Sequence, residues 1–293
     1  MTPASASARR ARPLLGTFVE VRAGGAPRGE LDAAIDRAFE AVAEVHRLMS
    51  FHEPESDVSR LNRAVPHEPV AVHPLTYGVL QSSRQFAERS GGCFDITVAA
   101  ELVDWGLLPA PASPHRPDPR GSWGDVELHP DGTVELLRPV WIDLGGIAKG
   151  YAVDRAVERL RASGIAHGCV NAGGDLRVFG PDREPVHLNP DTAPDREWSV
   201  IEIENASVAS SGGSGIRQHR HRPAGPHVDG RDRRPVGAHV FASVVAERCV
   251  VADALTKIVL ALADRSEELL REYGATAYLY SAGDGWRTLG ANA

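Results

Sequence analysis

Trp141-Ile142-Asp143-Leu144-Gly145-Gly146-Ile147-Ala148-Lys149-Gly150-Tyr151 sets an acid, two glycines and a lysine at a strand-to-helix junction. The apolar spacing that follows predicts a helix over about 147–162. Glycines at such a junction permit unusual backbone angles and close approach of a ligand, while the first-turn amides and the helix dipole favour an anion. Lys149 adds a point charge suited to a phosphate. The same residues also fit an ordinary strand-to-helix turn with a surface lysine, so this segment alone leaves both readings open. It is not a Walker loop, because Ala148 precedes Lys149 and Gly150 follows it, where that motif requires Gly and then Ser or Thr.

Upstream, residues 17–22 alternate with the period of a strand, and Leu31, Ile35, Phe39, Val42 and Val45 then follow helical spacing. A second helix is expected over 75–88, ended by Gly91-Gly92. Five prolines within 107–122 exclude helix and central strand there, which makes this a surface loop. Short alternating runs at 126–128 and 133–137 flank Pro130-Asp131-Gly132 and predict a hairpin. Downstream, a strand is expected near 169–178, broken by a bulge or close backbone approach at Gly173-Gly174. Strands near 200–203 and 241–246, a helix starting near Asp253, another over 267–273 and a last strand over 276–280 complete the reading. Irregular interleaving with hairpins favours an α+β fold, with mixed or antiparallel sheets packed against helices, over a doubly wound parallel sheet. The expected organisation is a disordered tail at 1–12 and a single catalytic unit over 13–293. Within that unit, the long stretch 212–237, dense in Gly, Arg and His, reads as a flexible loop.

Composition narrows the function classes. Over 293 residues, 39 acidic side chains outnumber 32 Lys and Arg, for a formal net charge of −7. That balance argues against a dedicated nucleic-acid binder, which needs a basic surplus to replace counterions along phosphates. No stretch approaches the roughly 20 consecutive apolar residues of a membrane-spanning helix. Residues 1–12 carry no apolar block of the kind an export signal uses. Cys93, Cys169 and Cys249 are widely spaced and form no CxxC pair, so neither a disulfide framework nor a zinc knuckle is indicated. A cytoplasmic setting is the expectation.

Three further constellations carry candidate chemistry. Cys93-Phe94-Asp95-Ile96-Thr97 follows the expected helix end, where Asp95 is placed either to accept from a ring or sugar or to satisfy local amides as a turn aspartate. Asp253 and Thr256 offer two oxygens on one helical face, hard donors of the kind Mg²⁺ accepts beside phosphates, although an acid there also serves as a helix cap. Between 216 and 234, six arginines face two aspartates, a local surplus suited to phosphate oxygens. His219 and His221 in that stretch are a weak zinc signal, and a solvated loop is the reading they favour.

In chain order, these segments resemble the ApbE family of flavin transferases. The matching stretches are Leu15-Gly16-Thr17, Met49-Ser50-Phe51-His52-Glu53-Pro54, Ser59-Arg60-Leu61-Asn62, Gly91-Gly92-Cys93-Phe94-Asp95-Ile96-Thr97 and Asp104-Trp105-Gly106. They continue with Asp143 to Asp154, Asn171-Ala172-Gly173-Gly174-Asp175, Ser211-Gly212 and Ala252-Asp253-Ala254-Leu255. The resemblance implies a T-fold-like architecture and Mg²⁺-dependent transfer of FMN from FAD to a Thr or Ser hydroxyl of an acceptor flavoprotein, with release of AMP. It implies an FAD site formed by Leu15, His52, Cys93, Phe94, Asp95, Asp143 and Lys149, with a cation held by Gly146, Asp253 and Thr256. Asp253, His227 and Asp229 are then the expected catalytic group. Alternatives are an FAD pyrophosphatase yielding FMN and AMP, and a catalytically impaired FAD-binding protein.

The chain departs from the family pattern at three places. His52 stands where an aromatic is usual. Lys257 stands four residues after Asp253, where a Thr usually ligates the metal, leaving Thr256 about 100° away around the helix. Residues 226–236 keep Asp229 and Pro235 but lack the usual Pro, Thr and Gly between them, and His227 falls two residues before the acid rather than three.

Overall fold

The computed structural model describes residues 7–190, 199–212, 226–236 and 240–291. The chain opens with β1 (Ser7–Leu14), β2 (Thr17–Gly24), α1 (Arg28–Met49), α2 (Asp57–Asn62), β3 (Val70–Ala71), α3 (Pro74–Arg89) and α4 (Ala99–Asp104). It continues through β4 (Val126–Leu128), β5 (Thr133–Leu136), α5 (Ala148–Ala162), β6 (His167–Ala172), β7 (Asp175–Phe179), β8 (Arg183–Leu188) and β9 (Ser199–Glu204). The last part comprises β10 (Ser207–Gly212), β11 (Val228–Asp229), β12 (Arg234–Pro235), β13 (Val240–Ala246), α6 (Cys249–Leu262), α7 (Glu267–Glu272), β14 (Thr276–Ser281) and β15 (Gly285–Gly290).

Eight strands form the central sheet in the order β1-β2-β6-β7-β10-β13-β14-β15, and every ladder in it is antiparallel. Period-2 alternation sorts its side chains onto two faces. Val19, Val21, Val170, Ala172, Ala209, Ala242 and Val244 join the main core, against which α1, α5 and α6 pack. Cys169, Leu176, Val178 and Val208 face the other way, into a smaller cluster completed by Val186, Leu188 and Ile203 of the β8–β9 hairpin. The fold is thus the expected α+β arrangement, with antiparallel sheets throughout the named strands.

Four expectations change. Residues 7–12 are not a disordered tail, because they lie within β1, paired along its whole length with β2; residues 1–6 lie outside the described residues. The strand escaped notice because Arg9, Arg10 and Arg12 give it no apolar alternation, and they are neutralised by Glu20, Asp32 and Asp36. Of the two readings of Gly173-Gly174 the bulge fails and the close approach holds: with φ of 64° and 102° they form the two-residue turn of the β6–β7 hairpin, where a Cβ on Gly173 would stand 2.5 Å from Thr17 Oγ1. Leu15 and Gly16, also at positive φ, make the matching turn between β1 and β2. Helix α6 starts four residues before Asp253, so that acid is an interior helical residue rather than a cap. Finally, 226–236 contains the β11–β12 ladder, whereas 213–225 and 237 lie outside the described residues, together with Arg217, His219, Arg220, His221 and Arg222.

The α5–α6 contact positions the site. Asp154 of α5, with no exposed surface, accepts from the first amides of α6, Cys249 N and Val250 N, at 3.0 Å each. It also accepts from Arg177 Nη1 at 2.6 Å. Orphan amides at a helix start are thereby capped by an acid from the neighbouring helix. Gly150 permits the close approach, since a Cβ there would lie 2.3 Å from the Cys249 carbonyl oxygen.

Candidate functional site

Two clefts meet at one wall made by Asp143, Gly145 and Lys149. The first, of about 400 Å³, is lined by Cys93, Phe94, Asp95, Gly146, Ser210, Ser211, Gly212, His227 and Lys257, among others. The second, of about 450 Å³, takes in Leu15, Phe51, His52, Met49 and Leu108. Leu15 reaches it from the tip of the β1–β2 turn, and His52 from the segment after α1.

The shared wall is electrostatically built. Asp143 accepts from the Gly145 amide, and burial pushes its carboxyl above the ordinary carboxylate range. Lys149, in the first turn of α5, is bonded to Asp175 at the start of β7. Burial works against its charge, but Asp175 and Asp253 outweigh burial and hold the ammonium above its usual range. Burial pushes the Cys93 thiol up to about 12.

Asp95 takes the structural reading. Its Oδ1 accepts from Thr97 N at 2.7 Å and Thr97 Oγ1 at 2.8 Å, while Oδ2 accepts from Trp123 N at 3.2 Å and Arg233 Nη2 at 3.1 Å. Four donors leave this carboxylate committed to the protein. Arg233 also reaches the carbonyls of Thr97 at 3.0 Å and Gly121 at 2.6 Å, so it pins the β11–β12 hairpin against the cleft. The sequence offers the arginines of this stretch to phosphate as a group, whereas side-chain geometry ties Arg233 to the protein. Asp229 does not line the cleft, and its carboxylate is taken by Arg231, with Nε to Oδ1 at 2.9 Å.

His227 projects from just before β11 into the first cleft. Burial, and then the ammonium groups of Lys257 and Lys149, lower its pKa to about 3, so it is neutral at ordinary pH. The unfolded chain takes up a proton near the usual histidine value of about 6.5, whereas the folded chain resists until about 3. The stability this supplies is complete above about pH 6.5 and is lost as pH falls toward 3. His227→Gln is expected to flatten the fall in Tm across the upper part of that window. An unaltered Tm–pH slope would rule out His227 as the source.

Asp253 and Thr256 lie beneath the cleft floor with no exposed surface. Asp253 Oδ2 accepts from the Gly150 amide at 2.9 Å, and Oδ1 holds the Lys257 ammonium. Against the cost of full burial, Lys257 and Lys149 keep this carboxyl below its ordinary range. Thr256 Oγ1 donates to the Asp253 carbonyl at 2.7 Å and pairs with Ser211 Oγ of β10 at 2.9 Å. Two of the three donors expected for Mg²⁺ are thus engaged within the protein, with Asp253 Oδ1 on the Lys257 ammonium and Thr256 turned into the helix–sheet contact. The sequence named Lys257 only as a departure and did not identify it as a cleft-lining cation.

Fold and site together define an α+β protein with a two-lobed cleft walled by Asp143, Gly145 and Lys149. A family model described as the ApbE family matches residues 15–280, and the chain belongs to that family. Among curated relatives, the FAD:protein FMN transferase of Treponema pallidum is 26% identical over 92% of this chain and 83% of its own length. The protein of the same description from Vibrio cholerae is 26% identical over 83% and 78%. Among solved structures, the ApbE protein of Thermotoga maritima superposes with a TM-score of 0.81 at 25% identity, covering 96% of both chains. The flavinyl transferase ApbE of Pseudomonas stutzeri gives a TM-score of 0.80 at 19% identity, over 97% of this chain and 94% of that one, a likeness of fold.

Proposed function

We propose that this chain transfers FMN from FAD to a Thr or Ser hydroxyl of an acceptor flavoprotein and releases AMP. The observation that carries the reading is the pair of clefts sharing the Asp143–Lys149 wall, in a chain whose curated relatives are described as FAD:protein FMN transferases. A dinucleotide has two ring systems and a central pyrophosphate, and two lobes meeting at a lysine match that division. In phosphoryl transfer the protein acts chiefly by positioning and by offsetting charge. The acceptor oxygen bonds to the phosphorus of the FMN half, the bond to the AMP phosphate breaks, and the hydroxyl proton is removed.

Lys149 donates to the pyrophosphate, and His227 takes the hydroxyl proton. A bound pyrophosphate offsets part of the ammonium charge that, after burial, depresses His227. Asp229 enters only through the hairpin that carries His227.

The reading is tested by incubating the protein with FAD and candidate flavoprotein acceptors, with and without Mg²⁺, and measuring AMP and protein-bound flavin. Both products are expected; the absence of both under every condition overturns it. Free FMN and AMP without an acceptor would instead assign hydrolysis, and tight FAD binding without AMP release would assign a flavin-holding role. Lys149→Ala is expected to weaken FAD binding about ten- to a hundredfold, as loss of a hydrogen bond to a charged group implies. An unchanged Kd removes Lys149 from the pyrophosphate site.

A further inference from the structure

We propose that the Lys257 ammonium is the built-in cation of this site, taking the place of a divalent metal so that the transfer runs without one. The inference rests on the proposed reaction and concerns how its charge is offset.

Four observations converge on it. Position 257 is four residues after Asp253 on α6 and so shares its face of the helix. The side chain lines the first cleft, while its Nζ donates to the Asp253 carbonyl at 3.1 Å and to Asp253 Oδ1. Its Cε also passes 3.6 Å from where a Gly146 Cβ would stand, so the stem lies against Gly146 while the ammonium holds Asp253, two of the three residues expected to hold the metal. Thr256, the third, is 0% exposed and committed to Ser211 and to its own helix. A cation entering between Gly146 and Asp253 would meet a like charge and a carboxylate already paired on both oxygens.

An ammonium has three donors and no acceptor. Two point at Asp253, and the third is available to the cleft, where it reaches a phosphate oxygen. In the proposed transfer, Lys257 stabilises the charge that develops on the AMP phosphate as its bond to the FMN phosphorus breaks. The two Asp253 contacts hold it in place before reaction, so little reorganisation is needed at the transition state.

The test compares the full-length wild type with Lys257→Ala and Lys257→Arg in EDTA and in Mg²⁺. Wild-type AMP release and FAD affinity are expected to agree within about twofold between the two conditions. Lys257→Ala is expected to lose roughly a hundredfold or more of AMP release in EDTA and to regain part of it with Mg²⁺, while Lys257→Arg retains part in EDTA. Binding of Mn²⁺, read by electron paramagnetic resonance and by thermal shift, decides the point independently of activity. The wild type should bind no Mn²⁺ at this site, and Lys257→Ala should acquire a site that a further Asp253→Asn change removes. Wild-type AMP release that requires Mg²⁺, or wild-type Mn²⁺ binding abolished by Asp253→Asn, overturns the inference while leaving the proposed transfer intact. Absence of AMP release from every variant in every condition defeats the transfer reading instead, and the Mn²⁺ measurement still decides whether Lys257 excludes a metal.

Discussion

Asp154→Ala is expected to destabilise the protein by about 3–5 kcal/mol, the cost of breaking a buried ion pair from one side. The side chain is inaccessible and serves three donors at once: the Arg177 guanidinium and the two opening amides of α6. Removing it strands a buried cation beneath β7 and uncaps the helix that carries Asp253 and Lys257. The loss should appear as a lower denaturant midpoint with little change in slope. FAD binding should weaken in parallel, because α6 is released from α5. A change under about 1 kcal/mol would show that the α5–α6 junction is held by its apolar contacts alone.

The largest effect on catalysis is expected from Asp253→Ala, which should lower AMP release roughly 10²- to 10³-fold, the scale for losing a preorganised charge contact at a transition state. The carboxylate joins the Gly150 amide at the start of α5 to the Lys257 ammonium. Without it, the ammonium keeps only its contact with the backbone carbonyl of residue 253, and α5 loses a tie to α6. FAD affinity should fall much less, since Lys149 keeps its own partner in Asp175. Steady-state AMP release beside a fluorescence titration with FAD separates the two quantities. Unchanged AMP release would remove Asp253 from the chemistry.

Much of this architecture was legible before any coordinates because its period signals are strong. The spacing from Leu31 to Val45 gives α1, and Pro130-Asp131-Gly132 gives the β4–β5 hairpin. The strand β1 was hidden because backbone pairing and arginine–carboxylate contacts, rather than an apolar stripe, hold it. The candidate site residues stand out by type and motif, and most of them converge on the two clefts. Their roles were less legible. Whether Asp95 faces a ligand or four local donors, and whether Asp253 is a free carboxylate or half of an ion pair, depends on residues 28 to 138 positions away or on a rotamer. Sequence spacing carries neither kind of information.

The close approach at Gly150 makes the site unequally open to redesign. On the α5 side, even one added carbon would collide with the Cys249 carbonyl and with Asp253 Cβ, 2.7 Å away, so the helices would have to part. On the α6 side, Lys257 is a long flexible side chain ending in the cleft and can be exchanged without moving backbone. The lysine that lines the cleft is therefore the replaceable component, and the bare turn of helix opposite it is the fixed one.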